Sequence, residues 1–111
     1  MDIEIIPHAA CTVVRIQGET AIHHRNREPL YERLGALLAT CPRLVLDCSS
    51  IETINSTGLA TLVALLGQAQ ARGGTLALAA LRPAVRELIE LSVKQLFPMF
   101  DDVECAVAGL R

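Results

Sequence analysis

Leu44-Val45-Leu46-Asp47-Cys48-Ser49-Ser50-Ile51-Glu52-Thr53-Ile54-Asn55-Ser56-Thr57-Gly58-Leu59-Ala60-Thr61-Leu62-Val63-Ala64-Leu65-Leu66 is the stretch that decides the fold. Its first three residues form an unbroken apolar run, which suits a strand covered on both faces. A hydroxyl-rich loop follows, from Ser49 to Thr57. Leu59, Leu62, Val63 and Leu66 then recur at the three- and four-residue spacing of a helix with one buried face. The loop therefore delivers Asn55, Ser56 and Thr57 to a helix N-terminus. Unpaired backbone N–H groups point outward there and the helix dipole favours negative charge. A phosphate attached at that position is one the chain itself can tolerate.

Upstream, Ile3, Ile5 and Ile6 make a first strand ended by Pro7, and His8-Ala9-Ala10 reads as a turn. Cys11 to Gln17 reads as a second strand closed by Gly18, with Val13, Val14 and Ile16 as β-formers. The two strands are expected to form an antiparallel hairpin. Glu19 to Arg27 is polar and carries no clear period. Pro29 suits the first turn of a helix whose buried stripe is Leu30, Leu34, Leu37 and Leu38, and Pro42 ends it.

Downstream, the helix after Ser56 is expected to reach about Arg72, where Gly73-Gly74 supplies the stop that a left-handed cap favours. Thr75 to Leu81 is a second continuous apolar run and reads as another buried strand. Strand, helix and strand in this order make a right-handed βαβ unit with parallel strands. Pro83 opens a further helix with Val85, Leu88 and Ile89 inward. Leu96, Phe97 and Phe100 supply a short final strand. Asp101 and Asp102 are N-cap candidates for a last helix carrying Val103, Ala106, Val107 and Leu110.

Asn55-Ser56-Thr57-Gly58-Leu59, preceded by the strand Leu44–Asp47, resembles the signature of the STAS domain, Asp-Ser-[Ser/Thr]-Gly-Leu. The closer resemblance is to the free-standing anti-sigma factor antagonists of bacterial partner-switching systems. The order β-β-α-β-α-β-α-β-α follows the STAS arrangement from end to end. The resemblance implies an α/β fold: one STAS domain over residues 1–111, with a mixed, mostly parallel sheet of about four to five strands and about four helices. It implies a non-enzymatic interaction switch. The unmodified form binds an anti-sigma factor with serine/threonine kinase activity and so releases a sigma factor. Phosphorylation at Ser56 abolishes binding, and a phosphatase resets it. Partner contact falls on Asn55, Ser56, Thr57, Gly58 and Leu59. ATP and magnesium belong to the kinase, so no cofactor is expected here.

Two stretches depart from the family pattern. Asn55 stands where the family carries Asp, and Gly18-Glu19-Thr20-Ala21 stands where it carries Gly-Glu-Leu-Asp. Two other functions share the resemblance: an accessory subunit of an ABC-type lipid transporter, and a small-ligand or nucleotide-binding module that uses the same helix start as an anion site.

Composition narrows the field. The 111 residues are 51% hydrophobic, 20% charged and 3% aromatic, so a core must come from aliphatic side chains. The formal net charge of −2 includes no basic run, which disfavours a nucleic-acid surface. Asp2 and Glu4 stand where a signal peptide has a basic start, and no apolar run reaches membrane-spanning length, so a cytoplasmic protein is expected. Cys11, Cys41, Cys48 and Cys105 lack metal-ligand spacing and read as reduced, buried thiols. His23 and His24 are adjacent and have no acidic or cysteine cluster to complete a metal site. Asp47 has no acid–base partner at recognisable spacing and is expected to bond loop amides rather than catalyse. Ser56 also reads as a helix N-cap, a role worth roughly 1 kcal/mol and compatible with exposure to a kinase. Gly58 reads either as a point of close approach or as a tolerated glycine in the first turn. Thr57, Thr53, Ser49 and Ser50 read as turn residues.

Overall fold

Arg43–Asp47 forms the middle strand, β4, of a five-stranded sheet in the computed structural model, which describes residues 2–17, 21–22, 27–93 and 96–110. Its neighbours are β2 (Thr12–Gln17) on one side and β6 (Thr75–Ala79) on the other, both parallel to it. Outside them lie β1 (Asp2–Pro7), antiparallel to β2, and β7 (Met99–Phe100), parallel to β6. Four helices complete the described chain: α1 (Arg27–Thr40), α2 (Ser56–Ala71), α3 (Pro83–Ser92) and α4 (Val103–Gly109). The α/β class and the mixed, mostly parallel sheet expected from the sequence are what the chain adopts.

The register explains why the apolar runs are continuous. Val14, Leu46 and Leu78 stand side by side across β2, β4 and β6, and Val13, Val45 and Ala77 form the adjacent row. Successive residues of a strand point to opposite faces, so the two rows face opposite ways. The first row joins a core with Leu30, Leu34 and Leu38 of α1, Leu62, Leu65 and Leu66 of α2, and Val85 and Ile89 of α3. The second packs with Cys11 and Ala79 against Ala106 of α4. Both faces are covered, and neither row can be polar.

Several boundaries differ from expectation. β6 stops at Ala79, not Leu81. Ala80 adopts a left-handed φ of 57° and donates its amide to the Phe100 carbonyl at 3.2 Å. The last strand is Met99–Phe100. Phe97 is buried ahead of it, while Leu96 is exposed. Leu88 does not face inward: α3 buries only Val85 and Ile89, one turn apart, and Leu88 lies off that narrow line. The helix stop at Gly73 is as the sequence implies. Its φ is +79°, and Gly73 and Gly74 donate to the carbonyls of Gln70 and Ala69, closing α2 in the left-handed manner a glycine permits.

Two short strands carry no period and were not legible in the sequence. β3 (Ala21–Ile22) and β5 (Thr53–Ile54) pair in parallel to form a separate ladder. It stands at the entrance to α2 and is the local frame of the candidate site.

Candidate functional site

The loop between β4 and α2 is held from below by Asp47. One carboxylate oxygen accepts the Ser49 amide at 3.0 Å. The other accepts Arg15 Nε at 3.0 Å, and Arg15 reaches on to Glu4 at 3.0 Å. The Asp47 side chain is 6% exposed. Burial pushes its pKa up, but the Ser49 amide and then the Arg15 guanidinium outweigh that and hold the carboxyl below its usual value. The expectation that Asp47 bonds loop amides is met at Ser49.

Asp47→Ala strands the Ser49 amide and leaves Arg15 with Glu4 as its remaining carboxylate partner, and roughly 2 kcal/mol of stability is expected to be lost. The native pKa is depressed, so the stabilising contribution is complete above the unfolded-state carboxyl range, about pH 4 to 5. It fades as pH falls through the lower native value. Denaturant melts of wild type and Asp47→Asn should therefore differ at pH 7 and converge in acid.

Other loop groups are also engaged. Ser50 Oγ donates to the Ile16 carbonyl at 2.8 Å. The Ser49 carbonyl accepts Arg82 Nε at 3.0 Å, and Arg82 also stands 3.8 Å from Glu52. The first contact ties the loop to β2, and those of Arg82 tie it to the head of α3. Ser49 and Ser50 stand in the turn, as their position implies, whereas Thr53, also read as a turn residue, lies in β5 and Thr57 in the first turn of α2.

Asn55 then caps α2. Its backbone is extended (φ −100°, ψ −179°), and its Oδ1 accepts the Gly58 amide at 2.9 Å. The cap is thus Asn55 and not Ser56, a one-residue correction to the N-cap reading of Ser56. Both residue types cap well. Here the backbone of Asn55 is extended and Ser56 is already helical. Ser56 is exposed at the first helical position, and its hydroxyl has no hydrogen-bond partner among the described residues.

Gly58 is buried, and its reason is now plain. A Cβ built on it would lie 2.4 Å from the Ile22 carbonyl oxygen of β3. The first turn of α2 and β3 therefore touch backbone to backbone. The Asn55 amide donates to the same Ile22 carbonyl at 3.3 Å. Thr57 is half-buried, and its carbonyl accepts the buried Thr61 hydroxyl at 2.8 Å. Leu59 is half-buried and lines a groove of about 560 Å³ between α2 and the end of α3. The structure thus gathers all five singled-out residues into one turn. Asn55 and Ser56 are exposed on it, Thr57 and Leu59 are partly so, and Gly58 lies beneath. The part played by Ile22, the Arg15–Asp47 pair and Arg82 was missed, because each acts through a contact remote in sequence.

The cysteines are only partly as expected. Cys11 and Cys48 are buried, Cys41 is half-buried and Cys105 is exposed. Burial, helped by the Asp47 charge, pushes the Cys48 thiol up to about 12. Cys105 lies on the outer side of α4, where its amide is donated to the capping carboxylate of Asp102 at 2.7 Å. Among the described residues no three His, Cys, Asp or Glu side chains gather into a metal site. No described helix is long and apolar enough to cross a membrane. His23, His24, Gly18, Glu19 and Thr20, singled out in the sequence, lie outside the described residues.

Known proteins share this fold. The family described as "Mlab, STAS domain" matches residues 7–93. BtrV of Bordetella bronchiseptica, a candidate anti-sigma factor antagonist, is 32% identical over 98 residues, covering 86% of this chain and 83% of its own. A crystal structure of an anti-sigma factor antagonist from Mycobacterium paratuberculosis superposes with a TM-score of 0.85 at 28% identity, over 99% of this chain and 93% of the other. The anti-sigma factor antagonist SpoIIAA shares the fold at 16% identity. Its unphosphorylated form gives a TM-score of 0.81 over 99% of this chain and 96% of its own. Its phosphorylated form, described as a Bacillus cell fate determinant, gives 0.74 over 99% and 100%.

Proposed function

The chain belongs to the STAS domain family, and from that premise we propose that it is an anti-sigma factor antagonist switched by phosphorylation of Ser56. The observation that carries the reading is the placement of one hydroxyl. Ser56 is exposed at the first position of a sixteen-residue helix, on a loop anchored by Asp47 and capped by Asn55. Relatives and neighbours named as anti-sigma factor antagonists, and a neighbour solved in a phosphorylated form, support it.

In this reading the unmodified chain binds an anti-sigma factor that is also a serine/threonine kinase, and a sigma factor is released. The contact is centred on Asn55, Ser56, Thr57 and Leu59, with Gly58 setting the position of the turn. Phosphorylation adds nearly two negative charges and three acceptor oxygens. The helix start accommodates them, because its amides and dipole favour an anion. A protein surface seated over Ser56 does not, so the partner is released while the fold stays intact. A phosphatase restores the binding form. Nothing in this scheme asks the chain to catalyse a reaction, and ATP stays with the kinase.

Copurification tests the reading. A tagged chain is expected to retain an anti-sigma factor with kinase activity. Retention of a transporter ATPase instead would favour the role of a transporter accessory subunit. Stabilisation of the chain alone by a nucleotide in a thermal-shift titration would favour a ligand-binding module.

A further inference from the structure

The two faces of the sheet are closed unequally. On the first, α1 and α2 bury whole rows of leucines, and α3 adds Val85 and Ile89. The second is covered by α4, seven residues long, and Ala106 is the one residue that helix buries. Val103, Val107 and Leu110 are only half-buried. Beneath them Cys11, Val13, Val45, Ala77 and Ala79 are at most 1% exposed, and Ala106 completes their cluster. One flank of α4 is unfilled. A cleft of about 220 Å³, lined by His8, Val103, Glu104, Val107 and Ala108, opens between the helix and the turn that joins β1 to β2. The polar tethers at its two ends lie in solvent. The Asp101 side chain, 92% exposed, meets Arg86 at 3.3 Å, and Arg43 reaches the Leu110 carbonyl at 3.4 Å on the surface. Exposed contacts of this kind hold little. The bond from the Cys105 amide to Asp102 stabilises the helix itself and not its docking.

We infer that α4 is a strap that lifts off the sheet on its own, while the sheet and the other helices stay folded, and so uncovers Cys11 and the second apolar face. The inference does not depend on phosphorylation of Ser56. Few buried apolar contacts and tethers confined to the surface distinguish a segment that opens locally from one that opens only with the whole fold. A helix of two turns also has little stability of its own once it leaves its seat, so lifting and unwinding go together. Gly109 marks how closely the seat is fitted. A Cβ there would lie 2.6 Å from Cε1 and 2.8 Å from Cζ of the Phe100 ring. One added methyl therefore pushes α4 away from the sheet, although alanine is the better helix former.

Three of the chain's own thiols report the opening. Cys105 is exposed on α4, Cys11 lies in the cluster beneath it, and Cys48 is buried in the core of the opposite face. An alkylating reagent reaches a thiolate only where the fold lets it in. The full chain is treated with iodoacetamide under native conditions, and peptide mass spectrometry follows each site in time. Cys105 is expected to react first, Cys11 next, and Cys48 at least about tenfold more slowly than Cys11. In wild type under increasing urea, Cys11 labelling should rise with a shallower slope than that of Cys48, because lifting a strap exposes less surface than unfolding. Gly109→Ala should speed Cys11 by about tenfold and leave Cys48 within about twofold. Labelling of Cys11 and Cys48 at one rate and with one urea slope would overturn the inference, since α4 would then open only with the whole fold. Labelling of Cys11 as fast as Cys105 would overturn it too, since α4 would then close nothing. If Cys11 outpaces Cys48 but ignores Gly109→Ala, the opening belongs to the turn at His8, and the strap is again ruled out.

Discussion

Ser56→Asp is expected to lower affinity for the anti-sigma factor by two to three orders of magnitude, while Ser56→Ala stays within a few-fold of wild type. The asymmetry comes from what surrounds the hydroxyl. Ser56 is exposed and its Oγ has no partner among the described residues, so removing it costs the fold little. A carboxylate at the first helical position is compatible with the dipole of α2, so the aspartate variant should melt no lower than wild type. The loss must then appear at the interface. Sealing an unpaired anion under a protein surface costs several kcal/mol, and a net 3 to 4 kcal/mol corresponds to two to three decades in Kd. Calorimetric titration of the three proteins, beside their thermal melts, separates this from unfolding. Equal affinities for the alanine and aspartate variants would count against the switch.

Gly58→Ala should be the most damaging single methyl in this turn. The added Cβ would sit 2.4 Å from the Ile22 carbonyl oxygen and 2.8 Å from its carbonyl carbon. Both are backbone atoms, so no rotamer change relieves the contact. Either β3 moves away, breaking the Asn55–Ile22 hydrogen bond and the β3–β5 ladder, or the first turn of α2 unwinds. Overpacking of this kind costs about 3 kcal/mol, roughly 10 to 15 °C of melting temperature for a domain of this size. Gly67→Ala provides the control within the same helix. Its Cβ enters open space, and the better helix propensity of alanine should raise stability by up to about 1 kcal/mol. Opposite signs for one chemical change in one helix are expected in urea melts. Equal effects would show that the contact with Ile22 does not constrain the turn.

What could be read from the sequence was what repeats. Leu30, Leu34 and Leu38 recur with the helical period, and Val13–Val14, Leu44–Leu46 and Leu76–Leu78 are apolar on both faces because both faces of the sheet are covered. These patterns placed α1 and three of the four longer strands, and Ile3, Ile5 and Ile6 ahead of Pro7 placed the fourth. Gly73 marked the end of α2 because only a left-handed residue closes it cheaply. The β3–β5 ladder was not legible, since two residues define no period and their pairing joins Ala21 to Thr53 across the chain. Leu88 was misplaced for a related reason. Helical spacing marks an apolar face, but the width of the face that finds a partner is set by tertiary packing, and α3 buries only one narrow line.

The candidate site was legible as a group and not in its division of labour. The five residues from Asn55 to Leu59 do form one turn. Asn55 and Ser56 are both good capping types, and one residue of register decides which of them is spent on the helix and which is left exposed. Gly58 proved to be shaped by Ile22, a neighbour no local pattern announces.

The most direct measurement of the central claim is made on the modified protein itself. The chain is incubated with its anti-sigma factor kinase and magnesium–ATP, the modified residue is located by mass spectrometry, and the phosphorylated form is purified and titrated back against the kinase. The expected result is a single phosphate on Ser56 and a dissociation constant raised by about a hundredfold or more, with an unchanged fold. A phosphate found elsewhere, or a Ser56-phosphorylated chain that binds as tightly as the unmodified one, would contradict it.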